Sequence, residues 1–249
     1  MAPMVQPVRN LLSRLYRAVR PIPSGRIFDY DRRLLVNPYL AEREHDVHDL
    51  QAAMASTGLS LGYPAWNLLY YALLCSLPPA DPVVVETGTN QGFSTIVLAQ
   101  ALIDAGAEGL VRTVDIDPEA VALARRHAQQ AKVAERIRFE VADSRDFLAR
   151  LAAEVDHVDF AFLDGDHRPE AVVAEFEQLR PLVAACRGKV YFDNTATGGV
   201  AEALRHIHAT YGGNLVEFPT CSWAPPGNAI WQPARPIAAG LQTHLDGRR

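Results

Sequence analysis

Residues 83–94 read VVVETGTNQGFS. Three valines favour a buried extended strand, Glu86 places a carboxylate near its end, and Gly88 and Gly92 bracket a turn. Apolar residues return at Phe93 and Ile96–Leu98 with helical spacing. Strand, glycine turn and helix start, in that order, make a ligand crevice at the carboxyl edge of a doubly wound sheet. Gly88 and Gly92 let a ligand approach the backbone there.

Outward from this stretch, strand and helix patterns alternate. Strands are expected at Val83–Glu86, Leu110–Asp115, Ile137–Val141, Val158–Asp164 and Lys189–Asp193. Helices are expected at Ser94–Ala105, Pro118–Gln130, Ser144–Ala153, Pro169–Leu182 and Gly199–Tyr211. Two last strands, Leu215–Phe218 and Asn228–Gln232, are joined by a short Pro/Gly-rich connection that favours an antiparallel pair. The pattern predicts an α/β, Rossmann-like, doubly wound sheet of seven mostly parallel strands with an antiparallel C-terminal hairpin.

Residues 1–80 carry no strand-rich run and read as a helical N-terminal extension or lid over the following sheet, with closure of residues 25–60 over the acceptor left open. Pro21–Gly25 is a break and Asn37–Tyr39 a turn. A loop leads into a buried helix near AWNLLYYALL, with Pro64 in its first turn. Residues 81–233 form the ligand-binding domain, and residues 234–249 a polar tail. The five arginines and apolar repeat of Met1–Arg26 suit an amphipathic packing helix, with a membrane-surface helix as the alternative, rather than a signal peptide.

Composition removes several classes of function. A net charge of −5 gives no reason to expect a nucleic acid partner. Cys75, Cys186 and Cys221 form no CxxC pair, which argues against a zinc knuckle or disulfide framework and suits a reducing cytoplasm. No apolar run is long enough to cross a membrane.

The turn itself discriminates among ligands. A dinucleotide motif places its second glycine where Asn90 stands, and a phosphate loop needs a Gly-Lys-Ser/Thr that is absent. This disfavours an NAD-dependent dehydrogenase. The remaining pattern, E-x-G-x-x-x-G, suits a ligand without phosphates that carries an amine, a carboxylate and a ribose. Glu86 supplies charge for a cationic group, and the helix start at Ser94 suits a carboxylate. The second strand ends in TVDIDP, where Asp115 can grip a ribose diol. The third ends in Ala142-Asp143-Ser144, polar groups at the edge an adenine would occupy.

Strand four ends at Asp164 in DFAFLDGDH, and strand five at Asp193 and Asn194 in VYFDNT. Neighbouring parallel strands end on one rim, so two carboxylates and an amide oxygen converge into a hard, oxygen-rich site. That chemistry suits Mg²⁺, Mn²⁺ or Ca²⁺ rather than zinc.

Together ETGTNQGFS, TVDIDP, ADS, FLDGDH and YFDNT resemble the class I S-adenosylmethionine-dependent methyltransferases. More narrowly they resemble the metal-dependent O-methyltransferases acting on catechols, caffeoyl-CoA and macrolide sugars. The resemblance spans about Gly58 to Trp231. It implies that Glu86, Gly88, Thr89 and Ser94 surround the methionine moiety, that Asp115 holds the ribose, and that Asp143 and Ser144 sit at the adenine. It also implies that Asp164, Asp193 and Asn194 bind one divalent ion, usually magnesium. His167 stands where the catechol and caffeoyl-CoA enzymes usually hold lysine and the macrolide sugar enzymes hold histidine. The expected activity is therefore methylation of a sugar or glycoside hydroxyl, with S-adenosylmethionine and Mg²⁺ (or Mn²⁺) as cofactors and His167 as general base. Methylation of a vicinal phenol and a non-catalytic cofactor-binding relative are the alternatives. The expected partners are a small-molecule or oligosaccharide acceptor and a second copy in a cytoplasmic homodimer.

Other polar residues have plainer readings. Asp117 before Pro118 reads as a helix cap, and Asp166 as a cap or alternative ligand. His206 and His208 read as a solvated helix face. Tyr63, Trp66, Tyr70 and Tyr71 read as core. His45 and His48 fall in a charged stretch, and Trp66 or Trp223 could stack on a sugar.

Overall fold

The computed structural model describes residues 37–45, 65–78, 81–218 and 227–234. The readings for Met1–Arg26, Pro21–Gly25, His48, Tyr63, Pro64, Cys221, Trp223, most of the 25–60 lid and the tail after Ala234 lie outside those residues, as does the side chain of His45.

The elements are α1 (Pro38–His45), α2 (Ala65–Leu74), β1 (Val83–Thr87), α3 (Phe93–Asp104), β2 (Leu110–Asp115), α4 (Pro118–Gln130) and β3 (Ile137–Val141), followed by α5 (Ser144–Glu154), β4 (Phe160–Leu163), α6 (Pro169–Cys186), β5 (Lys189–Phe192), α7 (Gly198–Tyr211), β6 (Asn214–Phe218) and β7 (Asn228–Gln232). The seven strands form one sheet in the order β3-β2-β1-β4-β5-β7-β6. β1 pairs in parallel with β2 on one side and β4 on the other. β3 and β5 extend the parallel set, while β7 runs antiparallel to both β5 and β6. The chain builds outward from β1 to β3, then crosses back to lay β4 beside β1. That reversal puts a crevice at the carboxyl ends of β1 and β4.

Strand alternation sends side chains to two apolar layers. Val84, Val111, Phe160, Phe162 and Tyr191 face a core that includes Trp66, Leu69, Leu73, Ile96 and Leu102. Val85, Val114, Ala161, Leu163, Val190 and Phe192 face the opposite core with Leu148, Phe176 and Leu204. Helix α3 buries residues around nearly its whole circumference, because α2 covers the side turned away from the sheet. Trp66 and Tyr70 are therefore core, whereas Tyr71 is exposed.

Several boundaries differ from the sequence expectation. The expected turn at Asn37–Tyr39 is the start of α1: the Asn37 side chain accepts the Tyr39 N–H at 3.0 Å, and Pro38 fits the first helical position. Strand β4 begins at Phe160 rather than Val158, since the Asp159 side chain turns aside to accept the Val83 N–H at 2.8 Å. Helix α6 continues through Pro181 to Cys186, where Arg187 closes it at a φ of 63°. The expected antiparallel hairpin forms, but its second strand lies inside the sheet and its first at the edge. Among the described residues, no helix is long and apolar enough to cross a membrane.

Candidate active site

The glycine turn is fixed by backbone contacts with the neighbouring strands. The Gly88 and Thr89 N–H groups both donate to Val114 O, at 2.9 and 3.2 Å, and Gly92 N–H donates to Thr89 O at 2.8 Å. Gly88 sits at a φ of 88°, and a Cβ there would lie 2.3 Å from the Asp164 carbonyl oxygen. No residue larger than glycine fits that crossing of the β1 and β4 ends. Asn90, which replaces a dinucleotide-motif glycine, takes a left-handed φ of 44°. Its N–H donates to Asp115 Oδ2 at 2.7 Å, while Asp117 N–H donates to Asp115 Oδ1 at 2.9 Å. Asp115 thus ties the turn to the end of β2. Asp117 caps α4 as expected, accepting from Glu119 N–H at 2.8 Å.

Above these strand ends lies a cleft of about 730 Å³. Of the residues expected to bind cofactor or metal or to catalyse, Gly88, Thr89, Ser94, Asp115, Asp143, Ser144, Asp164, His167, Asp193 and Asn194 line it. Two do not. Gly92 instead starts α3, where a Cβ would meet Ala124 Cβ at 2.9 Å. Glu86 is fully buried below the cleft, on the α3 side of the sheet. Its Oε2 accepts the Thr95 and Thr113 hydroxyls at 2.5 and 2.6 Å, and Thr113 Oγ1 lies 2.5 Å from Thr89 Oγ1. Burial pushes the Glu86 pKa up to about 7, against the opposing effect of the Ser94, Thr113 and Thr95 hydroxyls. Among the described residues its Oε1 has no hydrogen-bond partner of ordinary geometry, although Ser94 lies close enough to favour its charge. Glu86 is therefore linked to the cleft by the hydroxyl chain of Thr113 and Thr89 and is not one of its walls.

At the other end, Asp143 caps α5 and also binds the Arg145 guanidinium, which holds its carboxyl below the usual range. The Ser144 hydroxyl turns away from the cleft to donate to Glu175 Oε1 at 2.5 Å. Arg145, Arg168, Asp166 and Ile116 also line the opening, with Arg168 paired to Asp166 at 2.8 Å. Asp166 is thus an ion-pair partner of Arg168, and α6 begins without a side-chain cap.

The floor holds the rim carboxylates. Asp164 and Asp193 each lie one residue past their strands, held by N–H bonds to Thr87 O (3.0 Å) and Leu163 O (3.2 Å). Asn194 turns the chain at a φ of 54°. His167 Nε2 lies 3.3 Å from Asp164 Oδ1, and that contact raises the imidazole pKa. Asp193 is almost fully buried and accepts the Asn228 side-chain amide from β7. Burial lifts both carboxyls, and repulsion from Asp164 lifts Asp193 further. The Tyr191 hydroxyl, buried behind them, has no hydrogen-bond partner among the described residues.

Two desolvated carboxyls, one of them lifted further by the charge of the other, are a deficit of positive charge. Oxygen donors in that state fit a divalent cation such as Mg²⁺ or Mn²⁺. Among the described residues no three of His, Cys, Asp and Glu converge, so a cation there would rest on Asp164, Asp193, the Asn194 amide and water.

Glu175, Asn228, Tyr191, Arg145 and Arg168 were not singled out from the sequence. Only Glu175 carried a readable signal: it shares the apolar helical stripe of Val172, Phe176, Leu179 and Val183. Of the expected lid, residues 37–41, whose side chains are described, do not line the cleft; Asn37 instead bonds Gln100 and the Ala131 carbonyl.

Residues 85–195 match a family model described as a methyltransferase domain. The catechol O-methyltransferase of Mycobacterium tuberculosis is 35% identical over 117 residues, covering 47% of this chain and 49% of that protein. The rhamnosyl O-methyltransferase of Mycobacterium bovis is 32% identical over 133 residues, covering 53% and 52%. The chain thus spans about half the length of these curated relatives. Among solved structures, an O-methyltransferase from Bacillus cereus in complex with SAH superposes with a TM-score of 0.64 at 18% identity, over 90% of this chain and 97% of that one. TomG, an O-methyltransferase from Streptomyces achromogenes in complex with SAM, gives 0.60 at 18%, over 93% and 100%. At that identity the structures speak for the fold alone. With the motifs at their expected strand ends, residues 85–195 carry a methyltransferase domain that is similar to those of O-methyltransferases.

Proposed function

We propose that this chain transfers a methyl group from S-adenosylmethionine to a hydroxyl of a sugar or glycoside, in a reaction that depends on a divalent cation. One observation carries this reading: the glycine turn, Asp115, Asp143 and the Asp164/Asp193/His167 group all line one continuous cleft.

S-adenosylmethionine supplies an electrophilic methyl group, and a cation held by Asp164, Asp193 and Asn194 would acidify the acceptor hydroxyl. The chain's residues do the rest. Backbone groups of Gly88 and Thr89, with Ser94, hold the amino-acid end of the cofactor. Asp115 holds the ribose, and Asp143–Ser144 with Ile116 border the adenine. His167 Nε2 faces Asp164, which leaves Nδ1 to take the acceptor's proton. Fixing acceptor and methyl donor in line on one rim supplies much of the acceleration.

Histidine rather than lysine at position 167 favours a sugar acceptor, and the likeness to a rhamnosyl O-methyltransferase supports it. The likeness to a catechol O-methyltransferase keeps a vicinal phenol as the second reading. We place the reaction in residues 81–233 and propose a cytoplasmic homodimer as the working form.

The test is calorimetric binding of S-adenosylhomocysteine, followed by turnover on rhamnosides and catechols with Mg²⁺ or with chelator. Micromolar binding and Mg²⁺-dependent methylation of the glycoside are expected. Absence of binding would overturn the cofactor assignment, and undiminished turnover in chelator would overturn the metal.

A further inference from the structure

Glu175 lies in the middle of α6, only 2% exposed, and takes no part in the chemistry above. Its carboxylate joins two segments distant in sequence. Oε2 accepts the hydroxyl of Thr87, the last residue of β1, at 2.9 Å. Oε1 accepts the hydroxyl of Ser144, the first residue of α5, at 2.5 Å. A third segment packs on the same spot: a Cβ at Gly165 would lie 3.6 Å from Gly88 N, 3.6 Å from Thr87 Oγ1 and 3.7 Å from Glu175 Oε1. Gly88, Ser144 and Gly165 all line the cleft, while Glu175 stands behind them.

Burying a carboxylate is costly unless its oxygens are matched by donors. Here both donors come from segments that border the cofactor's two ends. The bonds fix the spacing between the start of the glycine turn and the start of α5. An extended ligand must bridge that spacing, with its amino-acid end at one segment and its adenine at the other.

We infer that Glu175 is a positioning residue for the cofactor, setting the distance between the methionine and adenine ends of the cleft through Thr87 and Ser144. The inference rests on the cofactor lying in this cleft. Wild-type binding of S-adenosylhomocysteine tests that premise separately.

The experiment compares S-adenosylhomocysteine affinity by calorimetry in wild type, Glu175→Gln, Glu175→Leu and the double variant Thr87→Val/Ser144→Ala, each well below its own melting temperature. Glu175→Gln keeps the shape, accepting one hydroxyl through its oxygen and donating to the other, so affinity should stay within about threefold of wild type. Glu175→Leu fills the space without either bond and should weaken binding by about tenfold or more, as two lost hydrogen bonds imply. The double variant should weaken it similarly, and adding Glu175→Leu to it should cause no further loss. A mere packing role predicts the reverse: the apolar leucine would be tolerated and affinity unchanged. Wild-type affinity in Glu175→Leu overturns the inference. Should that variant not fold, Thr87→Val alone decides, since Thr87 does not line the cleft: weakened binding supports the role of Glu175, and wild-type binding overturns it.

Discussion

His167 and Glu86 show how far a single side chain's neighbours decide its work. His167 is partly exposed at the cleft with one ring nitrogen on Asp164. His167→Ala should lower turnover about 10²–10⁴-fold if it removes the acceptor's proton, with S-adenosylhomocysteine affinity unchanged; a near-normal rate would take it out of that role. Glu86 has a folded pKa of about 7 against an ordinary 4.5. The folded state therefore binds its proton more tightly than the unfolded state does. Stability contributed by this group is fully present below pH 4.5 and falls as pH rises towards 7, by up to about 3 kcal/mol from the size of the shift. Glu86→Gln should melt higher than wild type at pH 8 and nearly with it at pH 4, read by thermal unfolding at both pH values. The charge of Asp164 reinforces the shift. At this scale Asp164, Asp193 and His167 were legible because strand ends put them on a rim. The placement of Glu86 was also within reach, since the period of two puts it on the Val84 side, facing α3.

The turn between β1 and α3 is where one element constrains another. Gly88→Ala would force a left-handed backbone on a residue with a Cβ and drive that Cβ into the Asp164 carbonyl. The backbone cost alone is about 1–3 kcal/mol, and the clash adds to it. Denaturant unfolding should show a lowered midpoint, and cofactor binding should weaken as β1 and β4 part. Alternation of apolar runs made most elements readable, with β2, β3, α4 and β7 matching their expected bounds. The miss at Asn37–Tyr39 came from reading Asn-Pro as a turn when the same pair also begins a helix. An acid on the apolar stripe of α6 marked Glu175 as buried, but its partners, 31 and 88 residues away in sequence, leave no local trace.

For the molecule as a whole, binding should couple to stability. S-adenosylhomocysteine at about 100 times its dissociation constant adds about 2.7 kcal/mol. For a chain of this size that corresponds to a rise of about 5–10 °C in melting temperature. NAD should give none, and a rise with NAD instead would return the glycine turn to the dinucleotide reading. Fold class was legible because it follows from the order of patterns along the chain. The strand order beyond β5 was not, since pairing between distant segments leaves no periodic trace.

The late strand β7 lies between β5 and β6 and delivers Asn228 to Asp193. On the ribosome this has a temporal meaning. When β1 to β5 have emerged, the glycine turn and both rim acids already exist, yet β5 has a raw edge and Asp193 lacks its amide partner. Only translation through about residue 232 seals that edge. The nascent chain can thus build the glycine turn before the Asn228 contact at Asp193 is made, and a ribosome stalled between the two would hold an unsealed sheet exposed to aggregation.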